Sequence, residues 1–371
     1  MTVDVTALRA NRTGTQLEPY GPPLSGPTRR SPVDAAEAII ADGWARGPSD
    51  PIDITPPVPW DGGTSPDLSW MLHAWRPFEV YLRAYDKTGD ARWLQTAAAV
   101  AEDWLQRGDR RNSRYAWYDM AAGQRAYRLA YLVDAMARDG EVPDQVLTAL
   151  VAAATEHAER LLDDEFFAGH SNHGYFQIAG MLALGKRLPE VPECAQAREV
   201  GLRRLRTMLD EQFGSDGVHR EHSPGYHAMM SQTLTTALAS GLTDDPDVIA
   251  TRDRAERSLA WFVMPDGSYT GFGDTHHRPV SPAYRADKKL APAIIKERFT
   301  TPVMRSVASA GHIGRPPQQL VRTFAAGGYL VMRSRWPDGE SDPGDAAYLA
   351  MMGAFHSRVL KHADVLSIVW W

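Results

Sequence analysis

The chain has a single cysteine among 371 residues, Cys194. One thiol excludes an internal disulfide and cannot assemble a thiolate metal site alone. It reads as a partly buried thiol beside a helix start. No apolar run reaches the roughly 18–20 residues that a membrane span requires. Residues 1–20 lack the apolar core of a secretory leader, so the expectation is a soluble, cytoplasmic protein, or a periplasmic or secreted one if a leader was removed. An excess of basic charge is also missing. With 40 basic and 46 acidic residues the net charge is -6, which gives no reason to expect nucleic-acid binding. Phosphate loop, Gly-x-Ser-x-Gly elbow and dinucleotide fingerprint are all absent. No tight repeat is visible, which disfavours a regular solenoid.

The rest is ordinary globular composition, 43% hydrophobic and 23% charged, with room for one large domain or a large and a small one. Residues 1–64 are rich in Pro and Gly. A short helix over about residues 32–46 interrupts them, with Ser31 as cap and Pro32 in its first turn. This segment reads as a strap over the domain behind it.

From about residue 65 helix follows helix. Trp93, Ala97, Val100 and Trp104 make one stripe, capped by Asp90. Val146, Leu147, Leu150, Val151, Ala154, Ala158 and Leu161 make a second, opened by Pro143. Val200, Leu205, Met208 and Leu209 make a third. Met230, Thr233, Leu234, Ala237 and Leu238 make a fourth, stopped by Gly241. Val248, Ala255, Leu259 and Phe262 make a fifth, stopped by Pro265. Short connections predict antiparallel neighbours, and a ring of helical hairpins over residues 65–320 fits their number and length. After about Gln318 the pattern becomes short apolar runs at residues 329–333, 347–352 and 365–371, which read as strands of a sheet domain over 321–371. A strand ending in Trp370 and Trp371 would leave an aggregation-prone edge, so more sheet is expected beyond residue 371.

Most of the 12 histidines fall in four turn-like segments. These are His170-Ser171-Asn172-His173-Gly174, Arg220-Glu221-His222-Ser223-Pro224-Gly225-Tyr226-His227, Asp274-Thr275-His276-His277, and Phe355-His356-Ser357-Arg358 running to His362-Ala363-Asp364. Histidine changes charge most readily near neutral pH. Collected on loops with Tyr and Asn, it points to an enzyme that moves protons.

Five features occur in a fixed order: Trp117-Tyr118-Asp119-Met120 with Arg125; Asn172-His173-Gly174; Glu221 through His227; Asp266-Gly267 with Gly273-Asp274; and His356-Ser357-Arg358 before His362. This set resembles the heparinase II/III-like polysaccharide lyases and their alginate-lyase relatives over roughly residues 65–371. The resemblance implies a mainly α protein, an incomplete (α/α) toroid followed by an antiparallel β-sandwich, with the site in the cleft between. It implies β-elimination on a uronic-acid polysaccharide, no required cofactor and an acidic polysaccharide as partner. Such chemistry needs a neutraliser for the uronate carboxylate, a base for the C5 proton and an acid for the leaving C4 oxygen. Asn172 matches the neutraliser, His173 a neutraliser or base, and Tyr226 the acid. Tyr226 as a base would need a lowered pKa, for which Arg220, His222 and His227 are the neighbours. Leu360 stands where a further His is expected, so His356 replaces it, Tyr226 and His173 share the base role, or activity is lost. In some relatives the residue matching His362 holds a structural zinc.

Blander readings stand beside these. Asn172 also suits a helix cap, His173 a helix-start hydrogen bond, and Tyr226 a packed aromatic. His222 and His227 read as supporting or surface residues, and residues 274–277 as a loop holding the cleft. His356 and His362 also suit hydrogen bonds at a strand edge. Trp70, Trp75, Tyr115 and Trp117 serve as sugar platforms or as core, with Trp117 favoured as a platform because Asp119 and Arg125 accompany it. Arg125 can clamp a uronate carboxylate or pair with Asp119. Arg220, Glu221, His222 and Asp119 complete the expected substrate contacts. A competing reading is a glycoside hydrolase using Asp119 with Glu221 or Asp274. A third, prompted by Leu360, is a non-catalytic carbohydrate-binding relative.

Overall fold

A computed structural model describes residues 4–21, 30–46, 49–62, 65–108, 113–139, 142–284, 292–353 and 366–371. Among them the helices are α1 Val5–Ala10, α2 Pro32–Asp42, α3 Pro66–His73, α4 Glu79–Thr88, α5 Ala91–Gln106, α6 Asp119–Arg138 and α7 Asp144–Leu162. They continue as α8 His173–Arg187, α9 Pro192–Gln212, α10 Pro224–Ala239, α11 Pro246–Leu259, α12 Pro292–Arg298 and α13 Pro302–Ala308. Four strands follow: β1 Val321–Phe324, β2 Tyr329–Arg333, β3 Tyr348–Met352 and β4 Ile368–Trp370. The protein is mainly α with a small antiparallel sheet. No described helix is long and apolar enough to cross a membrane.

Local chemistry sets the helix starts. Ser31 accepts from the Asp34 amide at 3.1 Å and Asp90 from the Arg92 amide at 3.1 Å, each satisfying one of the donors a first turn leaves open. All four residues of the α5 stripe, Trp93, Ala97, Val100 and Trp104, are buried. So are Val248, Ala255 and Leu259 on α11, with Phe262 just beyond it. Three expected elements run shorter among the described residues: the helix at 32–46 ends at Asp42, the strand at 347–352 starts at Tyr348, and the last strand is Ile368–Trp370.

The chain forms two compact units, Met1–Leu205 with Ala239–Thr243, and Arg206–Leu238 with Asp244–Trp371. In the first unit the strap is tied inward. Arg12 meets Asp134 at 3.0 Å and Glu190 at 2.6 Å, while Arg9 reaches Asp144 at 3.0 Å. Helix α6 runs through this unit buried on every side from Ala121 to Ala137. Gly123 and Gly180 let α6 and α8 touch backbone to backbone: a Cβ on Gly123 would lie 2.3 Å from the Phe176 carbonyl oxygen, and one on Gly180 2.5 Å from that of Gly123.

In the second unit the strands pair in the order β1-β2-β3-β4, all antiparallel. Phe324, Tyr329, Val331, Tyr348, Ala350 and Met352 face a core that also holds Trp261, Phe262 and Phe272. The opposite face carries Val321, Met332, Leu349 and Trp370 in register. Trp370 is 82% exposed there.

Candidate active site

Asn172 and His173 stand where α8 begins. Asn172 has helical backbone angles, φ -62 and ψ -15, and its side chain makes no capping bond. Nor does its amide make any other hydrogen bond among the described residues. The capping role open to Asn172 is therefore not the one it takes. His173 is partly exposed, 28% for its side chain, and its Nδ1 lies 3.1 Å from both carboxylate oxygens of Asp119. A carboxylate only accepts, so Nδ1 carries a proton, and in the neutral ring Nε2 is the nitrogen that holds the lone pair. Asp119 is fixed in turn, because Oδ1 accepts from the Met120 amide at 2.5 Å. Tyr118 packs its ring against His173 at 5.6 Å and against Trp70 at 6.1 Å.

Arg125 serves otherwise than expected. Arg125 has no exposed surface. Its Nε donates to His157 at 2.7 Å, a terminal nitrogen donates to the His73 carbonyl at 2.5 Å, and its guanidinium lies over Trp104 at 4.1 Å and Trp117 at 5.1 Å. Enclosed in this way it braces the fold and offers no clamp for a carboxylate. Trp117 is half-buried and packed on His157 at 4.9 Å. Trp75 is fully buried and is core; Trp70 is 9% exposed, and Tyr115 is half-buried. Asp119, expected among the substrate contacts, has its carboxylate addressed to His173.

The second unit holds the Tyr226 segment. Tyr226 is half-buried in the first turn of α10, its amide 3.4 Å from Ser223 Oγ. Thr275 locks this turn: its hydroxyl contacts Ser223 Oγ at 3.1 Å and accepts from the Gly225 amide at 3.0 Å. Residues 274–277 thus hold the Tyr226 turn, the supporting role open to them, and among the described residues no three His, Cys, Asp or Glu gather as metal ligands. His227 is 2% exposed, and its Nε2 donates to the Ala255 carbonyl at 2.9 Å. Burial depresses its pKa to about 4, against the opposing pull of that bond. It is neutral at pH 7 and cannot lower the Tyr226 pKa by charge. His222 is 6% exposed and 5.9 Å from the Tyr329 ring, a core position that corrects its expected contact with substrate. Arg220 is exposed and donates to the Glu211 carbonyl at 3.2 Å, while Glu221 is half-buried. His356, Leu360 and His362 lie outside the described residues, and so does the expected zinc ligand.

Residues 43–290 match the family model described as heparinase II/III N-terminus, more than half of the chain. The chain belongs to the heparinase II/III family. A heparin-sulfate lyase of Bacteroides stercoris is 23% identical over 301 residues, covering 73% of this chain and 44% of that protein. One from Bacteroides thetaiotaomicron is 21% identical over 289 residues, covering 73% and 41%. The chain thus matches less than half the length of these curated relatives. Among solved structures, a heparinase III with methylated lysines superposes with TM-score 0.72 at 18% identity, covering 99% of this chain and 60% of that one. A heparan sulfate lyase of Pedobacter heparinus gives 0.69 at 17%, covering 95% and 57%. These heparinase neighbours are α/α toroid proteins, and this family member shares their fold.

Tyr118, which packs on His173, was not singled out by itself in the sequence; its signal was its place in the Trp117-Tyr118-Asp119 motif.

Proposed function

We propose that this heparinase II/III family member cleaves an acidic glycosaminoglycan by β-elimination. The observation that carries this reading is the pairing of an amide, Asn172, with an imidazole whose Nδ1 is claimed by Asp119, the amide and the imidazole Nε2 both being uncommitted among the described residues. The family likeness supports the same reading. In the proposed step a base removes the C5 proton, the C4–C5 double bond forms, the C4–O bond breaks and the leaving oxygen takes a proton. Asn172 donates to the uronate carboxylate as charge builds there, without adding a titratable group. His173 Nε2 accepts the C5 proton, and the imidazolium it becomes is stabilised by Asp119. Tyr226, by resemblance, protonates the leaving oxygen. All proton movements are carried by side chains.

The competing hydrolase needs Asp119 as one of two carboxylates across the bond, whereas Asp119 already serves His173. The deciding experiment records ultraviolet absorbance and new reducing ends while the protein meets heparan sulfate, hyaluronan, alginate and a bacterial capsule polymer. Elimination gives both signals; hydrolysis gives reducing ends alone, and that result would replace the proposal. Tyr226→Phe removes one oxygen and keeps the ring, so turnover should fall about 10²–10⁴-fold while binding barely changes. Near-normal elimination by that variant rules out the assigned acid.

A further inference from the structure

Arg76 lies in the short connection between α3 and α4, after a residue with unusual backbone. Trp75 has φ +61 and is fully buried, its ring 4.8 Å from Phe78 and 5.7 Å from Trp104. A bulky residue held left-handed is uncommon, and such strain clusters at functional positions. Here the turn delivers the next side chain, Arg76, to a fixed place. Its Nε donates to Gln124 Oε1 at 2.8 Å, and its guanidinium lies over the Trp70 ring at 4.5 Å. Gln124 is fully buried and so cannot follow a moving partner.

The remaining Arg76 nitrogens have no hydrogen bond and no ion pair among the described residues. The acid nearest in sequence, Glu79, is bound to Arg128. Burial first, then the charges of Arg128 and Arg46, push the Arg76 pKa down to about 9, against the weaker opposite pull of Glu79 and Asp67. Arg46 is exposed and also lacks an acidic partner among the described residues; its NH1 rests 2.6 Å from Met71 Sδ. Two neighbouring cations, one of them over an indole and neither claimed by a carboxylate among the described residues, are an arrangement that an anion relieves.

This place flanks the Asn172–His173 group within the same unit. Trp70 meets Tyr118, and Tyr118 meets His173. Gln124 stands five residues along α6 from Asp119, about 7.5 Å along the axis. We propose that Arg76, supported by Arg46, binds an anionic group, carboxylate or sulfate, on a sugar next to the one cleaved, with Trp70 and Tyr118 as the apolar floor. This rests on the elimination reading for its polymer, and its test does not depend on turnover.

The test is direct binding by calorimetry, using heparan sulfate and chemically desulfated heparan as probes, with wild type, Arg76→Gln, Arg76→Lys and Arg46→Gln. Arg76→Gln should weaken heparan sulfate about tenfold, as expected for a charge-assisted bond, and Arg46→Gln about threefold. Arg76→Lys should recover part of the loss. Where turnover is measurable, the loss should fall on KM rather than kcat. If the tenfold ratio vanishes on desulfated heparan, the bound group is a sulfate; if it persists, a carboxylate. Thermal melting separates misfolding from lost contact, and the exposed Arg46→Gln decides the matter should Arg76→Gln fail to fold. Equal affinity of the folded variants and wild type for both probes overturns the proposal, as does a wild type that binds neither. A wild type that binds without producing an ultraviolet-absorbing product removes the lyase reading instead, and the affinity ratios still decide the role of Arg76.

Discussion

At the scale of single residues the most consequential contact is Asp119 with His173, 54 positions apart in sequence. A carboxylate at 119 forces the proton onto Nδ1; an amide there can offer a donor instead and reverse the tautomer. Asp119→Asn is expected to lower kcat on the order of 10²–10⁴-fold with little change in melting temperature. Unchanged kcat would mean that His173 does no proton transfer. The Asn172-His173 pair was legible because Asn and His among small residues on a loop already suggest polar chemistry. The part played by Asp119 was not. In sequence it was one more carboxylate near an arginine, and Arg125 turned out to be enclosed by Trp104, Trp117 and His157.

At the scale of elements, α6 and α8 carry Asp119 and His173 at their first turns, and their close crossing at Gly123 and Gly180 sets the spacing between them. An Ala at 123 would put its Cβ 2.3 Å from one backbone atom and 2.5 Å from the next, and backbone cannot move aside as a side chain can. Gly123→Ala should cost about 2 kcal/mol or more, read as a lowered midpoint in thermal or urea unfolding. An unchanged midpoint would show that the two helices separate at little cost. The amphipathic helices were read correctly from their stripes. Helix α6 left no stripe because it is buried all round. Strand β1, Val-Arg-Thr-Phe, was missed because four residues of mixed polarity do not stand out as an apolar run.

At the scale of the whole molecule, two buried imidazoles couple stability to acid. His73 is fully buried, accepts at Nδ1 from Trp104 at 3.0 Å, and has Nε2 3.2 Å from Asp61. Protonating Nδ1 would break the tryptophan bond. Desolvation lowers the pKa of His73 to about 4 despite the raising effect of Asp61, and that of His227 to about 4. Both values lie below the ordinary 6.5, so between pH 4 and 6.5 the unfolded chain binds more protons. Stability is therefore complete above pH 6.5 and is lost as pH falls toward 4, by up to about 3 kcal/mol for each histidine. Melting temperatures from pH 7 to 4.5 should fall steeply, and His227→Asn should flatten part of the slope. A flat profile for the parent chain would contradict the buried neutral assignment.

The sequence by itself determined the helical character, the amphipathic stripes of α5, α7 and α11, the caps at Ser31 and Asp90, the runs that became β2 and β3, and the loop that bears Asn172 and His173. Each rests on neighbours a few residues apart, where periodicity and capping chemistry act directly. Only the tertiary structure decided that Asp119 serves His173, that Arg125 and His222 are buried, that His227 stays neutral, and that Arg76 is left without an acidic partner among the described residues. Those outcomes depend on which distant side chains packing brings within a few ångströms and on how much water it removes, and neither quantity is written in local spacing.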